Sequence, residues 1–359
     1  MIIDVPKKEI LNSSLNKECA SFKFDEYLYN YLYSDFFLDG KFFLPISNKS
    51  LMTSTDVFRI LNKKKYLQYF SKDYISFIES NIDKFNTFAN AYVVGSYDNY
   101  FHCIMDYFPR LFCINESISS KIDTIVVGKK ILKKNKILET LLENISLTKK
   151  IILIDEGTYF FKNSFIAFNQ GYEQTIINYK KTFKKQLKNN SFRNIYISRS
   201  DSQNRIIKNE KSLIRYLDKY NFETYILSEL NFVDQIKLFN ESKIIISMHG
   251  AGLVNLIFSN EGTKVIEITP NLYFEKNDWF EHSGKTIQRN ISLSRDHFRL
   301  ISFFNNIDHY FYFSSILKTK FFNELKNFNQ YEKSNYITKI DLTINLDLFS
   351  KFFESKIMS

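Results

Sequence analysis

The run Ile244-Ile245-Ile246-Ser247-Met248-His249-Gly250-Ala251-Gly252-Leu253-Val254-Asn255-Leu256 passes from an apolar stretch, through a turn of small residues, into a second apolar stretch. Residues 244–246 read as a buried strand. The turn 248–252 follows, and the chain beyond it reads as a helix to about Phe258. Strand, glycine turn and helix start are the parts of an anion site. The first N–H groups of a helix lack intrahelical partners, and the helix dipole favours negative charge there. Gly250, Ala251 and Gly252 let a phosphate approach the backbone, and His249 adds a donor or proton carrier at its edge. The run therefore reads as a diphosphate cradle, with Asn255 one turn further on. It matches neither the dinucleotide fingerprint nor a Walker loop. Glycines at such a corner can also serve only to let strand and helix pack closely.

Outward from this run the pattern repeats. Strands are predicted at 194–198, 222–227, 243–247 and 264–268, with helices at 209–220, 232–240 and 252–258 between them. Short βα connections repeated in this way specify a parallel, doubly wound sheet, whose ligand crevice lies beyond the carboxyl ends of its strands. The front half is less regular. Residues 91–94, 123–127 and 151–154 read as strands, a helix is expected from about Tyr100, and a Lys-rich helix spans about 131–143. A polar, basic segment at 171–190 marks the expected junction. The fold class is α/β, with two facing Rossmann-like domains and a cleft between them. After Pro270 the pattern loosens: Trp279 falls in a charged loop, Asp308-His309-Tyr310 reads as a strand start, and 347–356 can form a helix.

Composition narrows the functional classes. With 44% apolar and 17% aromatic residues and only 9 Gly and 4 Pro, the chain is neither disordered nor fibrous. The net charge of +10 suits anionic partners. The lysines are scattered, however, and the clusters at 63–65, 129–136 and 180–188 read as solvated helix faces, so no nucleic acid is expected. Cys19, Cys103 and Cys113 form no CxxC pair, which suits a reducing compartment. No stretch approaches the roughly 18 uninterrupted apolar residues that span a bilayer, and the first residues lack a signal-peptide core. A cytoplasmic protein is expected, with peripheral membrane association through its basic surface.

Two further groups carry chemistry. His102, Asp106 and Arg110 are spaced by four, so on a helix they share a stripe that could deprotonate a hydroxyl and hold an anion. Pro109 should end or kink that helix near Phe108 and swing Arg110 off the stripe. A plain Asp–Arg pair beside a core His is the structural reading of the same spacing. Arg199 and Arg205 follow the strand at 194–198, where guanidinium forks could neutralise a diphosphate. Glu267 ends the strand at 264–268, where a carboxylate could accept from ribose hydroxyls.

Taken in order, His102-x-x-x-Asp106-x-x-Pro109-Arg110-Leu111, Ile197-Ser198-Arg199, Arg205, Asn209-Glu210, His249-Gly250-Ala251-Gly252-Leu253 and Val265-Ile266-Glu267 resemble glycosyltransferase family 61. The resemblance runs from about Ala91 to Pro270 and continues more weakly at 340–353. It implies a GT-B fold and inverting transfer of a sugar from a nucleotide donor. Bacterial members serve capsule or lipopolysaccharide synthesis. It also implies an acceptor-side domain at 1–175, a nucleotide-sugar-binding domain at 190–330, and a tail at 331–359 that packs back on the core. Donor binding is expected at Arg199, Arg205, Asn209, Glu210, His249, Gly250, Ala251, Gly252, Asn255 and Glu267, and acceptor binding at Arg110. No carboxylate pair follows a strand, so arginines, His249 and a helix start would replace a metal at the diphosphate. The expectation is metal-independent transfer from a UDP-sugar to a glycan or lipid-linked glycan, with no cofactor and with Asp106 or His102 as base. A non-catalytic nucleotide-sugar or polyanion-binding module is the alternative. Residues 1–90 carry no recognisable family feature.

Overall fold

The predicted strands of the second half form one wholly parallel sheet of β10 (Arg193–Ser198), β11 (Phe222–Ile226), β12 (Ser242–Met248), β13 (Lys264–Pro270) and β14 (Asp308–Ser314). They are ordered β11-β10-β12-β13-β14. The computed structural model describes residues 10–12, 31–39, 44–47, 50–52, 80–95, 97, 99–129, 135–155, 157–167, 171–270, 296–314 and 341–358. Trp279 lies outside the described residues. The chain divides into two compact units, Met1–Asn178 and Tyr179–Ser359.

In the second unit the period of two along each strand separates two chemistries. Tyr196, Ile244, Ile246, Met248, Ile266, Ile268 and Tyr312 share one face. They pack against Leu213 and Leu217 of α3 (Glu210–Asp218) and Phe349 and Phe353 of α6 (Leu346–Phe353). Ser247, Glu267 and His309 lie on the other face by register. The 3-10 helix Ala251–Phe258 packs there with α4 (Phe232–Asn240) and α5 (Asp296–Phe304). Asn231 caps α4 by accepting from the Asp234 amide, and Asn345 caps α6 in the same way.

The first unit carries a sheet whose parallel part is extended by antiparallel strands. Its parallel part is β6 (Ala91–Gly95), β7 (Thr124–Gly128), β8 (Lys150–Ile154) and β9 (Thr158–Ala167), with β5 (Asn86–Ala89) beside β9. β2 (Tyr31–Asp39), β3 (Leu44–Ser47), β4 (Ser50–Met52) and β1 (Ile10–Asn12) continue it in antiparallel fashion from β9. β9 is central, and Phe161 and Phe165 on it are buried. Phe36 of β2 stacks on Phe161 with centroids 5.2 Å apart. The longer helices described here are α1 (Asn135–Asn144) and α2 (Tyr172–Thr182), the latter crossing the division between the units.

Candidate functional site

β10 is the pivot of the second unit's sheet: the chain moves to β11 on one side and then to β12, β13 and β14 on the other. The reversal between β10 and β12 is the point at which doubly wound sheets bind ligands, beyond the strands' carboxyl ends. Arg199 directly follows β10 there, and His249-Gly250 directly follow β12. Arg205 joins them by donating from Nη1 to the His249 carbonyl at 3.1 Å. It holds a positive φ of 59°, which a long side chain seldom adopts. Arg199 donates from Nη2 to Ser202 Oγ at 3.0 Å. Its buried Nε has no hydrogen-bond partner among the described residues. Burial pulls the Arg199 guanidinium below its ordinary pKa, with Asp201 acting in the opposite direction.

Gly250 is there for space. Its φ of −175° is extended backbone open to any residue, but a Cβ would lie 2.2 Å from Arg199 Nη1. The guanidinium is thus seated against the bare Cα at the start of the 3-10 helix. Gly252 likewise leaves room for Leu227, whose Cδ1 would lie 2.5 Å from a Cβ. The helix predicted at 252–258 forms as a 3-10 helix, with the Leu253 amide bonded to the Gly250 carbonyl at 3.0 Å.

Glu267, expected to accept from ribose hydroxyls, meets two histidines. It is 1% exposed, and both of its oxygens are engaged by histidines. His249 Nδ1 contacts Oε1, and His309 Nε2 contacts Oε2 at 3.0 Å. Ser302 Oγ on α5 lies 2.8 Å from His309 Nδ1. Burial alone would push the Glu267 carboxyl up, but His249 and His309 together hold it near 2. Sequence reasoning placed His309 at a strand start and gave neither it nor Ser302 a role. The signal available was a His in an aromatic strand, and the parallel register that puts it beside Glu267 could not be read from spacing.

Three other residues assigned to the donor are tied elsewhere. Asn255 is fully buried and donates to Gln235 Oε1 at 2.9 Å. Asn209 pairs with the Ile344 backbone, donating to its carbonyl and accepting from its amide. Glu210 accepts from the Tyr196 hydroxyl at 2.7 Å, so it serves the apolar face of the sheet.

In the first unit, Asn99 caps the turn Tyr100–His102 by accepting from the amides of Phe101 and His102. A π turn, Cys103–Tyr107, and a 3-10 turn, Phe108–Cys113, follow. Pro109 has no N–H to continue an α ladder, which is consistent with this change of winding. His102 Nδ1 and Asp106 Oδ2 lie 2.7 Å apart, so the spacing of four brings them together. Arg110, expected to bind the acceptor, is only 1% exposed. Its Nε donates to the Asp106 carbonyl, its Nη1 donates to Val94, and its own carbonyl accepts from Tyr92. Its guanidinium also lies over the Tyr107 ring, 4.6 Å from the centroid. Arg110 is an internal tie.

With both groups placed, comparison with known proteins becomes interpretable. Residues 100–266 match the family model described as Glycosyltransferase 61, a segment that includes both the His102–Asp106 pair and the Arg199, Arg205 and His249 cluster. The resemblance carried by the sequence motifs is borne out over that segment. The chain is also similar to protein O-linked-mannose beta-1,4-N-acetylglucosaminyltransferase 2 of Mus musculus and of Homo sapiens, 35% identical to each over 74 residues. That alignment covers 20% of this chain and 13% of each relative, so the chain spans a small part of those proteins' length. Among the described residues, no group of three or more His, Cys, Asp or Glu is arranged for a metal ion. No helix among them is long and apolar enough to cross a membrane.

Proposed function

We propose that this chain is an inverting glycosyltransferase that moves a sugar from a UDP-type nucleotide donor to a glycan or lipid-linked glycan, without a metal. The observation that carries the reading is the meeting of Arg199, Arg205 and His249-Gly250 at the sheet's switch point, inside the segment that matches the family. Two guanidinium groups and a histidine at strand ends suit the charge that grows on a departing nucleoside diphosphate. In the transfer, the acceptor oxygen bonds to the sugar's anomeric carbon. The bond from that carbon to the phosphate oxygen breaks, and the diphosphate leaves with the electron pair. Asp106 takes the acceptor's proton, with His102 holding its carboxylate. The basic surface and the bacterial members of the family support a role in capsule or lipopolysaccharide synthesis at the membrane's inner face.

The test is hydrolysis and transfer from UDP-sugars, measured together with UDP affinity. Asp106→Asn should lower turnover by about 10²–10⁴ and leave UDP affinity nearly intact. If His102→Ala abolishes turnover while Asp106→Asn does not, His102 is the base. Nucleotide binding with no turnover on any donor would identify a binding module instead.

A further inference from the structure

We infer that His309 and Ser302 are positioning residues of the donor site: they immobilise Glu267, which fixes the ring of His249 at the end of β12. The inference rests on the donor-site reading proposed above. A carboxylate held by one histidine can still rotate about its terminal torsion, whose energy profile is broad. Here the second oxygen is taken by His309 Nε2 at 3.0 Å, and His309 is in turn held by Ser302 at 2.8 Å. His309 and Ser302 are each 0% exposed, which leaves little room for solvent to stand in for either contact. The chain of contacts also assigns protons. The ionised Glu267 accepts from His309 Nε2–H at Oε2 and from His249 Nδ1–H at Oε1, while Ser302 Oγ holds His309 at Nδ1. Donation from Nδ1 fixes the tautomer of His249, so its Nε2 carries either a lone pair or a second proton, and nothing else.

The two faces of the sheet differ in how they are filled. On the opposite face the same strands carry Ile266, Ile268 and Tyr312 in an apolar core. Well-packed apolar side chains often match or exceed a buried ion pair in stability. The carboxylate and its two histidines therefore point to a task, and the task their contacts define is aiming the ring of His249, the residue whose backbone carbonyl accepts from Arg205. In metal sites, outer partners that orient a histidine in this manner are worth about 10–100-fold in function.

The experiment uses the full chain labelled with 15N at its 5 histidines. The downfield Nδ1–H resonance of His249 is identified by its absence from His249→Gln. His309→Phe keeps an aromatic ring to stack on Phe311, whose centroid lies 4.8 Å from that of His309, but it lacks the donor. It should weaken or abolish the His249 resonance and lower UDP affinity and UDP-sugar turnover by roughly tenfold or more. His309→Gln places an amide donor near the lost Nε2–H and should restore most of both. Ser302→Ala should fall between them, and it carries the test if His309→Phe does not fold. A folded Ser302→Ala or His309→Phe with the wild-type resonance, and with UDP affinity within about twofold of wild type, would overturn the inference. If the resonance responds in the variants but wild-type protein binds no UDP, the donor-site reading fails and the coupling of the four side chains stands.

Discussion

Arg199 and Gly250 illustrate how a residue's role follows from what its neighbour leaves open. The guanidinium occupies the volume that any side chain at residue 250 would need, so a glycine that sequence reading took for phosphate approach also seats the arginine. Glu267 shows the reverse: a carboxylate at a strand end was legible, but its partners depended on register. Its carboxyl is held near 2, below the ordinary 4.5, so it adds stability that is present above pH 4.5 and lost as pH falls toward 2. The stability gap between wild type and Glu267→Gln, measured by urea unfolding, should therefore shrink as pH falls through that window. A gap that stays constant or widens would mean the histidines do not stabilise the carboxylate. Arg199 and His249 stood out in the sequence because each directly follows a predicted strand, and Arg205 because it lies in the loop that leaves the first of them. The partners of Asn209, Asn255 and Arg110 within the fold were not legible, because spacing does not show which backbone and side-chain groups a buried amide or cation meets.

At the scale of elements, the period of two and short connections made the parallel sheet legible, and 308–310 does open β14. β9 was missed, although it is central to the first sheet. Its sequence, Thr158-Tyr159-Phe160-Phe161-Lys162-Asn163-Ser164-Phe165, breaks alternation where β2 and β9 slip register. There Asn163 takes a φ of 47°, and its amide donates to Asp35 Oδ1 at 2.7 Å. The helix at 347–356 was visible as a pattern without a docking place. In the structure, Phe349 and Phe353 of α6 complete the apolar face. Phe353→Ala should cost about 3–5 kcal/mol, read as a lowered urea midpoint at unchanged slope. A change under about 0.5 kcal/mol would show that α6 does not belong to the core, since that is the range of surface substitutions.

Across the whole molecule, two units with different sheets each carry one chemical group: the His102–Asp106 pair lies in the first, the arginine and histidine cluster in the second. A net charge of +10 suits an anionic donor but does not choose among donors, so length and composition could bound the class and go no further. As proposed above, the switch point of the second sheet binds a nucleoside diphosphate through protein cations alone. Calorimetric titration of UDP in EDTA, on wild type and on Arg199→Ala, tests it most directly. Wild type should bind without metal, and Arg199→Ala should lose about 1.5–3 kcal/mol of binding while remaining folded. Binding that appears only when manganese or magnesium is restored, or an unchanged affinity in Arg199→Ala, would contradict it.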